Sequence, residues 1–480
     1  MSPSVEYANG EVLLAATYRA VGSDIKLENS VSKLGRQFLR QIEQGRRPKT
    51  KIDKKGTGIS VEDWKSIIQD TLRSPKQPNQ SARRFLQISP LIPDASLYSL
   101  SARLSNNPWN PGELVKKLVH FGTESHEDAQ DIWLQIFSAL KVDAMDDAWA
   151  NFLDTEFRCW RPSDCATYFS SSSQLGPDEI VENWRLDDST TPARQFCADL
   201  RSIMKLKPEL TRRQWITLIE TTIRLGAASH TMWTAFYNKR VADSLLAAAR
   251  GEKWDALEAG DYLDRPSLMV DQYVSGQLKG IAVDSERARL TINLLLFYLT
   301  EKYGADYTQD VLQNLERINE FAEKVSGAFD SDEMLKLTSI LQGLLESEPR
   351  RFQCKTGPAK NALEFLQHSL QQRRTSETGL EAYDQGFYLA KRGEHRNARW
   401  EVALGPVAVI ALVHSCTSRG VMNANMDDLV NHLRRYGFGL EQDEREKSSL
   451  VGTLRALGLV LDSPDAEGGM VLVRPFEAAT

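Results

Sequence analysis

Cysteine is scarce in this chain, with five residues, at 159, 165, 197, 354 and 416, spread over 480 positions. An odd number at wide spacing argues against a disulfide framework and favours a reducing, cytoplasmic setting. The N-terminal MSPSVEYANGEVLL lacks the basic, apolar, small-residue order of a secretory signal. Long apolar runs are missing as well. The longest, Leu290 to Leu299, is too short to span a bilayer and is flanked by Arg287, Arg289 and Glu301, so no membrane partner is expected.

Catalytic signatures are equally sparse. The chain has no GxxxxGK[ST] loop, no GxGxxG after a strand and no GxSxG elbow. Seven histidines, at 120, 126, 230, 368, 395, 414 and 432, form no HExxH or H-x3-H pair. Cys159 and Cys165 are too far apart for a zinc knuckle and have no second pair to complement them. No catalytic residue, metal ligand or cofactor is therefore assigned. One fragment, Phe352-Gln353-Cys354-Lys355, has the apolar-Gln-x-Lys shape of a nuclease metal core. That chemistry needs an Asp on a neighbouring strand to hold Mg²⁺, and the nearest candidates, Asp330 and Asp332, lie in a helical pattern. A basic loop leading into a helix is the simpler reading.

Positive charge is in short supply overall, at a net −6, so any nucleic-acid contact must come from local patches. Two patches stand out. Between Lys33 and Lys55 nine basic residues, including Arg46, Arg47, Lys49, Lys51, Lys54 and Lys55, face only Glu43 and Asp53. Such density reads as a solvated loop or as a phosphate-contacting arm. The second patch carries Arg350, Arg351, Lys355, Lys360, Arg373, Arg374, Lys391, Arg392, Arg396 and Arg399.

What the chain has in abundance is helical periodicity. Thr211 is placed to cap a helix whose Trp215, Leu218, Ile219, Thr222 and Leu225 share one face. Ser60 precedes Asp63 by three residues as a capping-box variant, and long amphipathic runs cover 234–250, 284–303, 307–326 and 331–346. No alternating strand pair is convincing before residue 400, and no repeat period emerges. The expected fold is mainly α, an irregular multi-helical body with a C-terminal winged helix-turn-helix. Composition shifts and Pro/Gly joints divide it into an N-terminal helical segment (1–80) with the basic arm (33–55), helical domains at 81–180 and 181–350, a basic linker (351–400) and the winged-helix domain (401–480).

The C-terminal part is the most legible. Pro406 opens one helix, Asn425 caps a second ending near Gly437, and a third is expected at about Glu446 to Leu457. The apolar runs 459–461 and 470–473 then flank SPDAEGG as a hairpin. The third helix would present Arg445, Lys447, Ser448 and Arg455 to phosphates or base edges. Yet 406–476 holds seven basic and nine acidic residues, a balance that suits a protein-docking module as well as a reader of DNA or RNA.

Two stretches, LTRRQWITLIETTIRLGAASHTMW (210–233) and LVGTLRALGLVLDSPDAEGGMVLVRPF (450–476), resemble helical proteins encoded in bacterial anti-phage defence islands of the methylation-associated and phosphorothioation-linked types. The resemblance covers a small part of the chain and carries over no functional residue. It implies a subunit acting beside ATPases, nucleases or methyltransferases. Three readings follow: a non-enzymatic, nucleic-acid-associated subunit of such a complex, a pure protein scaffold, and a divergent metal-dependent nuclease. On the first, reversing charge at Arg46, Arg47, Lys49 and Lys51 is expected to weaken DNA binding and flatten its salt dependence. An unchanged slope in a salt titration rules the arm out.

Overall fold

The computed structural model describes residues 13–18, 40, 44, 58–68, 85–86, 88–92, 94–95, 100–101, 111–144, 146–160, 192–254, 267–303, 315–374, 383–393, 398–418, 424–461 and 470–476. The fold is mainly helical, with fourteen α-helices among the described residues. In chain order they are α1 (Val61–Ile67), α2 (Pro111–Phe121), α3 (His126–Leu140), α4 (Ala148–Trp160), α5 (Pro192–Met204), α6 (Arg212–Ala249) and α7 (Ser275–Tyr303). Then come α8 (Leu315–Val325), α9 (Ser331–Ser347), α10 (Pro349–Phe352), α11 (Gly357–Leu370), α12 (Pro406–Thr417), α13 (Met426–Arg435) and α14 (Ser449–Ala456). Of the basic arm (33–55), all residues but Arg40 and Gln44 lie outside the described residues.

Helix α6 is the axis of the molecule. Thr211 caps it through a reciprocal capping box with Gln214, as its sequence leads one to expect. Every residue from Leu218 to Ser229 is buried, so α6 is wrapped on all sides rather than amphipathic. Gly226 makes this enclosure possible, because a Cβ there would lie 2.3 Å from the Phe196 ring on α5. Gly122, just past α2, permits a similar close approach to α5, where a Cβ would meet the Ala193 carbonyl oxygen at 2.2 Å.

Two hydrophobic clusters share the long helices. One gathers residues from Leu13 through Trp215, Phe365 and Leu412 to Leu472, and so joins the N-terminal helices to the C-terminal ones. The other packs the second half of α6 against α7, α8 and α9 through Tyr237, Leu245, Leu295, Phe321 and Leu337.

Four two-stranded pairings complete the fold: β1 (Phe85–Leu86) with β2 (Leu100–Ser101), β3 (Leu268–Met269) with β6 (Phe438–Gly439), β4 (Leu389–Lys391) with β5 (Trp400–Val402), and β7 (Val460–Leu461) with β8 (Val471–Leu472). Strands before residue 400 go beyond the sequence expectation. At two or three residues each they are too short to print an alternating pattern. The β3–β6 pairing is parallel and joins segments about 170 positions apart, a tertiary contact without a local signal.

Buried charge sets the geometry at the centre of α6. Arg224, fully enclosed, donates to the carbonyls of Ser369 (2.7 Å) and Gln371 (2.9 Å) and to the Asp384 carboxylate (2.7 Å). Burial alone would lower the guanidinium pKa, but Asp384 and then Glu220 outweigh it and hold the group above its ordinary value. Replacing Asp384 with Ala strands most of that charge. A loss of about 3–5 kcal/mol is expected, tempered by Glu220. Denaturant unfolding checks it, and a loss below about 1 kcal/mol would show that Arg224 does not depend on Asp384.

Candidate functional site

The structure distributes the expected nucleic-acid contacts in three ways. Arg46, Arg47, Lys49, Lys51, Lys54 and Lys55 lie outside the described residues. Arg373 is corrected: it is buried and donates to the His368 carbonyl at 2.8 Å, so it is not a surface cation. Its neighbour Arg374 is exposed, with its guanidinium 6.0 Å from the Tyr383 ring centroid.

The C-terminal quartet is also rearranged. The third helix is α14, Ser449–Ala456, and Arg445 and Lys447 precede it in a 3-10 turn over Gln442–Lys447. Arg445 is paired with Asp427. Ser448 is buried and serves as the N-cap, accepting from the Val451 amide at 3.3 Å. The Ser449 amide donates to the Asp271 carboxylate at 2.8 Å. The positive end of α14, where a phosphate would be received, is thus engaged by carboxylate from within the chain. Of the four residues only Lys447 and Arg455 are exposed.

The second basic patch divides in space. Its first half, Arg350 to Lys360, surrounds α10 and the start of α11. Its second half gathers where several short segments run side by side. Gln371 bridges to Leu389 in parallel sense, β4 pairs with β5 in the register Lys391↔Trp400, and Tyr273 bridges to Glu401. This register brings Arg374, Lys391, Arg392 and Arg399 to one end of the assembly. Aromatic rings interleave with them. Lys391 Nζ lies 5.2 Å from the Trp400 centroid, and the Arg399 guanidinium lies 5.7 Å from that of Tyr273. Tyr273 and Tyr383 are 51% and 40% exposed. Arg392 is paired with Glu401 at 2.6 Å. Arg396 lies outside the described residues.

Cations interleaved with aromatic rings are residue types that nucleic-acid-binding surfaces in general use, cations for phosphates and rings for bases. The arrangement was half visible in the sequence. Tyr383 and Trp400 stand among the basic residues of 373–400, but Tyr273 arrives from more than a hundred positions upstream and only the fold supplies it.

The nuclease fragment does not acquire a sheet. Gln353, Cys354 and Lys355 form the turn between α10 and α11, with Cys354 at φ +57°. Asp330 is the N-cap of α9, accepting from the Glu333 amide at 2.8 Å, and Asp332 lies in the first turn. Among the described residues no group of three or more His, Cys, Asp or Glu side chains is placed to hold a metal ion. No helix among them is long and apolar enough to cross a membrane. No protein-family model matches the chain, and no curated protein matches it.

His414 is buried, and His230 is partly buried with its Nδ1 closed off from solvent. Burial pushes His230 down to about 4; burial first, and then Arg474, does the same to His414, also to about 4. An unfolded histidine titrates near 6.5. Between about pH 6.5 and 4 the unfolded chain therefore binds protons that the folded one refuses, and stability falls as pH falls through that window. Replacing His414 with Phe is expected to reduce this dependence by up to about one proton, read from urea midpoints against pH. An unaltered slope would show that His414 titrates normally.

Proposed function

We propose that this chain is a non-enzymatic, nucleic-acid-contacting subunit of a bacterial multi-protein DNA-handling or defence assembly. The observation that carries the reading is the cation–aromatic end formed by Tyr273, Arg374, Tyr383, Lys391, Arg399 and Trp400. Its chemistry favours sequence-independent contact, since phosphates are alike along a strand and every base has a stacking face.

We read α12, α13, α14 and the β7–β8 pair as a winged helix-turn-helix used for docking rather than for reading bases. Three contacts support this. The N-terminus of α14 is engaged by Asp271, Arg445 is consumed by Asp427, and Gln272 donates to Glu441 at 3.0 Å. The preceding turn, Gln442–Lys447, contributes the exposed Asp443 and Glu446, which would repel a phosphate backbone.

A pure protein scaffold is favoured by one different observation. Helix α9 buries only Leu337 fully and leaves Leu335 70% and Ile340 41% exposed, an apolar surface suited to a protein neighbour.

Anisotropy with labelled single-stranded and duplex oligonucleotides separates the two. Removing the three cations (Arg374→Ala, Lys391→Ala and Arg399→Ala together) is expected to reduce the salt slope by about 2 for a single strand. Removing Tyr273 or Tyr383 should weaken binding by about 1–3 kcal/mol per lost stack while leaving the slope alone. No measurable affinity in the unmodified protein at moderate salt would discard the nucleic-acid reading and leave the scaffold.

A further inference from the structure

A cavity of about 200 Å³ opens between α6, α7 and α11, with Leu114 of α2 at its side. Its polar wall is organised by Glu286, which is 2% exposed. Arg289 grips that carboxylate with two bonds, Nε to Oε2 at 3.0 Å and Nη2 to Oε1 at 2.9 Å, and Arg351 Nε donates to Oε1 at 2.5 Å. The acceptor capacity of Glu286 is spent on holding two guanidiniums. Arg289 keeps donors beyond those two bonds and has a side chain 40% exposed. Arg351 shares a further, solvent-facing contact with Glu348 at 3.2 Å, and Lys360 pairs with Glu364 at 3.6 Å. Arg350 is exposed on α10, and Lys355 is exposed in the turn that leads into α11. The two guanidiniums, held by one carboxylate, bias this wall toward anions.

The start of α11 adds to that bias. Pro358 and Ala359 line the cavity, and Thr356 at the N-cap makes no side-chain capping bond to the first turn. A helix start without that cap is a ready partner for an anion.

The opposite wall has a different character. Thr231 and Thr234 line it, and each donates its hydroxyl proton to its own helix, to the Ala227 carbonyl at 2.8 Å and the His230 carbonyl at 2.9 Å. What they turn to a ligand is lone pairs, so they accept from hydroxyl groups. Asn238 and Ser285 line the cavity as well and can donate or accept. His230 shares the lining, and its Nδ1 is shut off from solvent without a hydrogen-bond partner among the described residues.

We infer that this cavity binds a small phosphorylated polyol, of the sugar-phosphate class, with the phosphate at Arg289 and the start of α11 and the hydroxyls at Thr231 and Thr234. Its volume lies below the ~300–1,000 Å³ of drug-sized sites, which limits the ligand to about the size of a pentose phosphate. The site is independent of the cation–aromatic end, because none of the residues placed there lines this cavity.

The test is calorimetric titration of the full chain with ribose 5-phosphate, with ribose and inorganic phosphate as partial probes. Ribose 5-phosphate should bind, inorganic phosphate more weakly, and ribose not measurably. Arg289→Gln should weaken ribose 5-phosphate at least ten-fold, Arg289→Lys should restore part of that loss, and Ala362→Leu should block binding by filling the cavity. Thr234→Val, nearly isosteric and therefore safe for folding, should weaken ribose 5-phosphate and leave inorganic phosphate unchanged. Three results would each overturn the proposal: no binding of ribose 5-phosphate at millimolar concentration, equal binding of ribose, or binding unaffected by Arg289→Gln and Thr234→Val. Arg399→Ala should leave sugar-phosphate binding intact, so failure of the nucleic-acid reading and failure of this one are seen separately.

Discussion

A guanidinium with no access to water lies at the centre of the molecule, and the chain around Arg224 is arranged to satisfy it. Its partners are the Ser369 and Gln371 carbonyls at the end of α11 and the Asp384 carboxylate. These same positions begin the segment that reaches Arg374 and adjoin Tyr383. The cation–aromatic end is therefore tethered to the core of α6 through three bonds that the protein cannot release without exposing a bare charge to an apolar interior. Asp384 also accepts from the Gly386 amide at 2.9 Å, which turns the chain toward Tyr388 and β4. A surface site supported in this way keeps its geometry because the interior demands it.

The C-terminal helices are held by the same kind of device. Asp199 of α5 receives His432 Nε2 at 2.9 Å and the Tyr436 hydroxyl at 2.7 Å, while Gln195 donates to the His432 carbonyl and Ser229 to that of Tyr436. Buried polar bonds are directional, and each costs more to leave unmade than it gains when made. Together with the β3–β6 pairing they fix the attitude of α13 against α5 and α6. The C-terminal helices are thereby anchored to the helical body rather than held only by their own packing.

Charge placement decides what the surfaces can do. The sequence carries a long basic stretch from 350 to 399, and the fold splits it between the turn around α11 and the end of β4 and β5. Glu286 and Glu401, both buried, organise the two halves by pairing with Arg289, Arg351 and Arg392. The same acidic residues that lower the net charge thus orient the cations that remain.

Much of the helical content was legible in the residues themselves. Thr211, Asn425 and Ser60 cap the helices they were expected to cap, and Gly437 and Gly458 adopt the positive φ that helix ends favour, because caps and glycine turns act over three or four positions. The site was only partly legible. That Arg373 is buried while Arg374 is exposed cannot be read from two adjacent arginines; it depends on which one the Arg224 network draws inward. Tyr273 joins Arg399, and Asp271 meets α14, through contacts spanning more than a hundred positions, and no local pattern encodes such distances. The sequence alone determined where the chain coils and how those coils begin and end. Which charges face water, and which rings stand beside them, was decided only when the buried groups found their partners.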